Sequence, residues 1–459
     1  YSSAASDVYK RQRTKRTMPA VDLKVYGAIL SVRPARRFDI ACLLMRMYGY
    51  MMNIGTVAML SLAGYSFLES GLVSSVIALA IFLIGPRLGK LVDERGQSRV
   101  VPFAALVSLT GLVALLITVQ FHGPLWILFI ASVFVGCIPS AQALSRARWV
   151  YLLRMGRLGE KAPNITTIFS YEGILDDIGF MIAPALSIFL ASSFTPIAGL
   201  AVGGVCFLIG ATLLTHAKET EPHPGWRSAT DTASSDAPAS NSSAPEKSEA
   251  PAKEKKSLFR TSRIVRVLFV LMLLLGSFFG TFDTTSVAFA EELGEPNIAS
   301  GALMLSALVS IAIGFLFGTL RLAIPHYKQV LIAATCIGVG YGSMMLISDA
   351  VSLYVVSCFG ALFYAPFLIV MNGACERSVP GKRLTEAITW LNAGCTCGLA
   401  ISPTLAGIMI DLWGAQAGFI MGGVLALAIP VIALLHRRTI KTGRKSTVRR
   451  AKIKMPEAA

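Results

Sequence analysis

Six ionisable side chains stand inside long runs of apolar residues, where a charge is costly. They are Arg46, Glu172, Asp176, Asp177, Asp283 and Glu386. A charge at the centre of a membrane helix costs about 2.5 to 3.5 kcal/mol on insertion scales, so each group needs a partner or a water-filled cavity. Residues of this kind mark ion pathways, proton relays and ligand sites.

Two of these acids, Glu172 and Asp176, are four residues apart and share one face of a predicted helix. Two ionised carboxylates so close repel each other, which favours a proton on one of them, as a proton carrier requires. Arg46 and Glu172 lie at similar depths, about 10 to 12 Å from the starts of their predicted helices at 1.5 Å per residue. We therefore hypothesise that Arg46 pairs with Glu172 or Asp176, beside Asp177, in a site whose protonation changes as a ligand binds. The alternative is a purely structural buried ion pair.

The elements that position these groups are membrane helices. The chain has 459 residues, 54% hydrophobic and 15% charged, with a mean hydropathy of +0.63, which is too apolar for a soluble domain. Its apolar runs have roughly 20 residues, the length of a helix that crosses a hydrocarbon core of about 30 Å. The sequence predicts an all-α membrane protein with twelve transmembrane helices. These are 38–63, 70–88, 100–120, 124–145, 165–190, 196–215, 265–290, 298–320, 329–347, 350–372, 386–410 and 415–435.

The net charge of +16 follows the topology of these helices. Apart from Arg46, the basic residues fall in alternate loops, and opposite loops such as 291–295 contain none. The positive-inside rule then places both termini in the cytoplasm, with the chain in a bacterial inner membrane. The basic tail is interpreted as an anchor on anionic lipid, and no nucleic-acid partner is predicted.

Composition divides the chain into five regions. Residues 216–262 are polar and of low complexity, which is typical of a disordered linker. The predicted regions are a cytoplasmic segment 1–37, a six-helix bundle 38–215, the linker 216–262, a second six-helix bundle 263–436 and a basic cytoplasmic tail 437–459. The first residues, through Gln12, resemble translated sequencing-adapter read-through, so Met18 is expected to be the start.

The two bundles align as an internal repeat. Placing 52–58 over 282–288 sets Asn53 on Asp283, and a later offset sets Glu172 on Glu386. Transporters built from parallel repeats bind substrate between the halves, near the midplane. We therefore expect Asn53, Asp283, Glu386 and Trp390 to line such a cavity. The alternative for Asp283 is a residue hydrated at the outer end of its helix.

The loop after the second predicted span carries Gly89, Asp93, Arg95, Gly96 and Arg99. This pattern resembles the signature loop between helices 2 and 3 of the major facilitator superfamily. The resemblance implies that Gly89 permits close helix approach, that Asp93 caps a helix or pairs across the halves, and that Gly96 allows the turn. The basic residues are expected to remain in the cytosol and to take part in gating.

This resemblance implies two six-helix bundles that rock about a central substrate site. The chain departs from the family pattern at Glu94 and Gln97, where basic residues are common. The fifth span, with Gly179 and Pro184, is distantly similar to drug-proton antiporters, and the whole core is similar to actinobacterial permeases of undefined substrate.

The predicted function is proton-coupled export of a drug-like or metabolic small molecule by a monomer. Uptake of a nutrient such as a sugar by proton symport is the alternative, and a non-transporting scaffold or sensor is the alternative from another class. The sequence contains no P-loop, nucleophile elbow or metal-ligand spacing, so neither an enzyme nor a cofactor is predicted.

Overall fold

The computed structural model describes residues 33–156, 165–224, 258–319, 324–379 and 383–441. The linker core, most of the basic tail and the first 32 residues therefore lie outside the described residues. The described part is helical. Its α-helices are α1 Arg33–Leu62, α2 Phe67–Arg95, α3 Gln97–Gln120, α4 Leu125–Val135, α5 Ala141–Arg154, α6 Ile165–Ser193, α7 Ala198–His216, α8 Leu258–Thr261, α9 Arg263–Glu292, α10 Asn297–Thr319, α11 His326–Gly342, α12 Ala350–Ser378, α13 Leu384–Trp413 and α14 Ala415–Leu435.

Ten helices in the described part are long and apolar enough to cross a membrane. Helix α1 is as long as any of them, with 30 residues, but the polar side chains along it, Arg46 and Asn53 among them, lower its hydropathy. Local signals fix the helix ends. At the start of α2, the Ser66 side chain accepts the backbone N–H of Glu69 and the Glu69 carboxylate accepts that of Ser66, which forms a capping box.

The predicted span 124–145 is not one helix. Helix α4 ends before Gly136, and α5 begins after Ser140, whose hydroxyl accepts the backbone N–H of Ala143. Pro139 explains the break, because proline has no N–H to donate and disfavours helical backbone at the preceding Ile138. The break turns the polar residues of α5 toward the interior of the first half.

Buried apolar side chains form two cores. One core is drawn from residues 35–214, and the other chiefly from residues 264–440. The second core also takes in a few residues of α1 and α6, Ile54 and Ile188 among them, so the two halves share apolar contacts.

Hydrogen bonds between the halves concentrate toward one end of the molecule, which we call the Ser66 end. Ser61 donates to Glu291 at 2.6 Å, and the Asp411 carboxylate accepts the first backbone N–H groups of α2 at 2.8 and 3.0 Å. Further along α2, Ser75 and Thr404 share a hydrogen bond of 2.7 Å. These bonds join α1 to α9 and α2 to α13, which closes the halves together there.

Helix α2 separates from the second half toward its opposite end, which we call the Gly96 end. A methyl group added at Gly71 would lie 2.5 Å from the backbone oxygen of Pro403 in α13. One added at Gly85 or Gly89 would meet no atom within 4 Å. The expectation that Gly89 permits close helix approach is therefore wrong for this conformation, because α2 stands away from its neighbours there.

Candidate functional site

A buried ionic cluster lies in the first half, centred on Arg46 of α1. Its guanidinium pairs with the carboxylate of Glu172 and, at 3.2 Å from Nη1 to Oδ1, with that of Asp176. The exposed fractions are 5% for Arg46, 0% for Glu172 and 9% for Asp176. One buried cation thus faces two carboxylates. The structure brings together the three residues that the sequence grouped, and their role in proton coupling stays a prediction.

The Glu172 carboxylate is also held by α5. Ser145 donates to it, and the indole N–H of Trp149 donates to the same oxygen at 2.8 Å. With Arg46 on its other oxygen, Glu172 has a complete set of partners. Sequence reasoning missed both α5 donors, because the predicted span 124–145 placed them at or beyond its end.

Two further side chains donate hydrogen bonds to Asp176. Tyr50 donates to its Oδ1 at 2.9 Å and Gln142 donates to its Oδ2. The guanidinium of Arg146 lies 3.9 Å from Oδ2, at a side chain that is 38% exposed, so it is a weaker second cation. Asp176 is the slightly more exposed of the two acids, at 9% against 0% for Glu172. The side chain of Asp177 lies outside those the structure describes.

A central cavity lies between the halves. The first half contributes α1 and α6, and the second half contributes α9 to α13. The lining residues are Tyr50, Asn53, Ile54, Phe180, Met181, Pro184, Phe279, Phe282, Asp283, Leu303, Ser306, Ala307, Ser310, Tyr341, Ala361, Tyr364 and Leu399. Asn53 and Asp283, which the internal repeat aligned, therefore both face this cavity.

The two aligned residues differ in their bonding. The amide oxygen of Asn53 accepts the hydroxyl of Ser74 at 2.7 Å. Within the described part of the chain, Asp283 has no hydrogen-bond or ion-pair partner. The Ser310 hydroxyl, in a residue that is 1% exposed, is also unpartnered among the described residues. The Asp283 carboxylate and the Ser310 hydroxyl are thus both available to a group that enters the cavity.

Tyr50 connects the cavity to the ionic cluster. Its ring lines the cavity and meets the ring of Phe180 edge to face, with centroids 5.7 Å apart, while its hydroxyl bonds Asp176. A ligand that displaces this ring changes the donors around Asp176. Sequence reasoning did not predict this link, because a tyrosine inside an apolar run does not reveal which neighbours it contacts.

Glu386 and Trp390 have other surroundings. Glu386 pairs with Arg383 at 2.8 Å, in the first turn of α13, and Trp390 stacks on Phe259 with centroids 4.5 Å apart. The cavity residue of α13 is Leu399, about 20 Å along the helix axis from Glu386 at 1.5 Å per residue. Neither candidate is among the lining residues, so the expectation that they face the cavity is corrected.

The loop at the Gly96 end is built around a turn and a carboxylate from a distant segment. Gly96 has φ +91°, a conformation that side-chain-bearing residues rarely adopt. The carboxylate of Glu221 accepts the backbone N–H of Ser98 at 2.8 Å and so stabilises the start of α3. Asp93, for which capping or pairing across the halves was expected, is exposed in the last turn of α2, and its role stays a prediction. Arg95 and Arg99 are exposed beside Glu221.

Arg148 of α5 is fully buried and binds neutral acceptors. It donates to Gln97 at 2.7 Å, to Thr220 at 2.7 Å and to the backbone oxygen of Leu214 at 3.0 Å. A cation suits this position, because the carbonyl groups at a helix C-terminus carry partial negative charge. Gln97, one of the departures from the signature loop, is thus the partner of a buried arginine.

A family model described as Major Facilitator Superfamily matches residues 164–363 and 346–457. No curated protein matches the chain. Among solved structures, an auto-inhibited peptide transporter of the POT family aligns with a TM-score of 0.60 at 13% identity, covering 88% of this chain and 97% of that one. A nucleoside transporter aligns with a TM-score of 0.59 at 13% identity, covering 89% and 99%. A peptide transporter in complex with alafosfalin aligns with a TM-score of 0.61 at 13% identity, covering 92% and 99%. At these identities the likeness concerns the fold alone.

Proposed function

Since the chain belongs to the major facilitator superfamily, we propose that it is a secondary transporter that couples movement of a small molecule to movement of protons. Export of a drug-like or metabolic compound is the favoured direction. The substrate occupies the central cavity, and the proton is exchanged at Asp176, beside Arg46 and Glu172.

The observation that carries this proposal is the position of Tyr50. Coupled transport requires that occupancy of one site change the affinity of the other. Tyr50 forms part of the cavity wall and donates to Asp176 at 2.9 Å, so one side chain belongs to both sites. Removing its donor from Asp176 favours protonation of that acid, because a hydrogen bond to the charged form stabilises it. Substrate binding and proton binding are thereby linked.

The proposed topology has twelve spans, in which α1 and the pair α4 and α5 join the ten long apolar helices. Both termini lie in the cytoplasm of a bacterial cell, and the Gly96 end faces it. The two six-helix bundles 38–215 and 263–436, connected by the linker 216–262, rock about the cavity. The bonds at the Ser66 end then close the outer side, and the separation at Gly89 opens the inner side. The protein works as a monomer in the inner membrane.

The test is a compound screen in proteoliposomes with an imposed pH gradient and an internal pH dye. A substrate dissipates the gradient through the wild-type chain. The Asp176→Asn variant keeps the acceptor for Tyr50 and loses the titrating proton, so we expect substrate binding without proton flux. Normal proton-coupled transport by a well-expressed Asp176→Asn variant would eliminate the coupling role of this residue.

Everted membrane vesicles separate export from uptake by symport. An exporter driven by the proton gradient accumulates substrate in them, whereas a symporter does not. A scaffold or sensor that only kept the fold is distinguished by neutralising Glu172, Asp176 and Asp283 together. Such a protein retains its cellular role after this triple change, whereas a coupled transporter loses activity.

A further inference from the structure

We infer that the central cavity selects monovalent organic cations that carry aromatic groups. This inference rests on the proposed function and names the substrate class of that same site. It starts from the charge of the cavity. Asp283 is the one acid among the lining residues, and the lining contains no lysine, arginine or histidine.

An unpaired carboxylate in an apolar cavity is a strong site for a cation. Asp283 has no hydrogen-bond or ion-pair partner within the described part of the chain, so a bound cation would supply the countercharge that favours its ionised form. A ligand carboxylate placed here meets a like charge instead. The nearest arginine of the ionic cluster, Arg46, is already paired with Glu172 and Asp176 and is not part of the lining.

The walls of the cavity suit a cation that carries an aromatic group. Phe279 meets Tyr341 and Tyr364 edge to face, with centroids 5.5 and 4.9 Å apart, on the side of Asp283. Tyr50 and Phe180 form the wall opposite. Aromatic faces attract ammonium groups by about 0.5 to 2 kcal/mol each, and more when water is excluded.

A polar contact beside the carboxylate is also available. The hydroxyl of Ser310 is buried in the lining and has no partner among the described residues. It can donate to a ligand acceptor or accept from a ligand N–H. The cavity thus offers one carboxylate, the Ser310 hydroxyl and aromatic walls, which together favour amines and quaternary ammonium or phosphonium ions over peptides, sugars and acids.

The test measures binding of radiolabelled tetraphenylphosphonium to the full-length chain in nanodiscs. The competitors are phenyltrimethylammonium, its neutral isostere tert-butylbenzene, and benzenesulfonate. We expect displacement by the ammonium ion and not by the other two. Asp283→Asn should weaken tetraphenylphosphonium binding by roughly 30-fold or more, because one partner of a buried charge pair is lost. Glu295→Gln, which removes an acid from an exposed loop, should leave the affinity unchanged.

A second variant keeps the inference testable if Asp283→Asn fails to fold. Phe279→Leu retains the carboxylate and removes an aromatic face, so the preference for phenyltrimethylammonium over tert-butylbenzene should fall by about tenfold. Equal displacement by the neutral or anionic competitor overturns the inference. So does unchanged affinity in a folded Asp283→Asn variant.

The outcomes separate this inference from the proposed function. If a neutral or anionic solute dissipates the pH gradient through the wild-type chain and not through Asp176→Asn, coupled transport stands and the cation class fails. If tetraphenylphosphonium binds through Asp283 while no solute moves protons, the cation site stands and coupled transport fails.

Discussion

The buried acids of the two halves differ in their polar partners. In the first half, Glu172 and Asp176 share Arg46 and accept further donors from α5, within the packed interior of one bundle. In the second half, Asp283 lies on the wall of the cavity and has no hydrogen-bond or ion-pair partner among the described residues. The internal repeat aligns Asn53 with Asp283, so the same helix position is neutral on one side and acidic on the other.

This difference indicates two separate roles for the buried acids, one in proton binding and one in ligand binding. A carboxylate whose partners are all protein groups can respond to protons and to movement of those groups. A carboxylate without partners is available to a ligand. Substitutions in the two halves should therefore have opposite effects on stability and on ligand binding.

The largest effect is expected at Arg46. Arg46→Met leaves two buried carboxylates without their main cation, which should lower the free energy of unfolding by about 3 to 5 kcal/mol. By contrast, Asp283→Asn removes an unpaired charge and should not destabilise the fold. Thermal unfolding in detergent, followed with a thiol-reactive dye on the free cysteines, measures both. Equal losses in the two variants would erase the distinction between the halves.

Tyr50→Phe should have the next largest effect, on coupling. The ring stays in the cavity wall, but the hydrogen bond to Asp176 is lost, a bond to a charged group worth about 1.5 to 3 kcal/mol. We expect nearly normal ligand binding with substrate-driven proton flux reduced by roughly tenfold or more. The control is Tyr65→Phe, which removes a hydroxyl that bonds Gly123 away from both sites. An unimpaired proton flux in Tyr50→Phe would refute the link.

Moving the cavity carboxylate from the second half to the first tests whether the two aligned positions are equivalent. Asn53→Asp, introduced into the Asp283→Asn variant, moves the single cavity carboxylate to the aligned position in the first half. Its oxygen can still accept the hydroxyl of Ser74. We expect tetraphenylphosphonium binding to recover to within about tenfold of the wild-type affinity. No recovery in a folded double variant would mean that the two positions are not equivalent within the cavity.

The smallest effect is expected at Glu386. It aligns with Glu172, but its ion pair with Arg383 is about one-third exposed, so Glu386→Gln should change stability by about 0 to 1 kcal/mol. Transport and its dependence on pH should match the wild type in proteoliposomes. Glu172→Gln is the matched variant in the first half, and it should lower stability measurably. A transport defect in Glu386→Gln would restore it as a site candidate.

Depth and helical spacing were sufficient to predict the grouping of Arg46, Glu172 and Asp176, because two positions along neighbouring helices fix their height in the membrane. The same reasoning failed for Glu386. The repeat alignment equates Glu386 with Glu172 by sequence position alone. However, α13 begins two residues before Glu386, whereas α6 begins seven residues before Glu172. The second acid therefore lies nearer the end of its helix.

The donors from α5 and the aromatic walls of the cavity could not be predicted, because they depend on contacts between helices that are distant in the sequence. Gln142, Ser145 and Trp149 reach the ionic cluster because the fourth predicted span breaks, and the signal for that break, Gly136 with Pro139, is common in membrane helices that continue. The aromatic walls of the cavity depend on packing across the halves, which hydrophobic periodicity cannot specify.

The buried guanidinium of Arg148 has one further consequence. It connects the first residue of α3, helix α5, the last turn of α7 and Thr220 just after it. An arginine stays charged at any physiological pH, and its acceptors here are neutral. These hydrogen bonds therefore do not depend on protonation. The Gly96 end of the first half should accordingly move as a single rigid unit at any physiological pH.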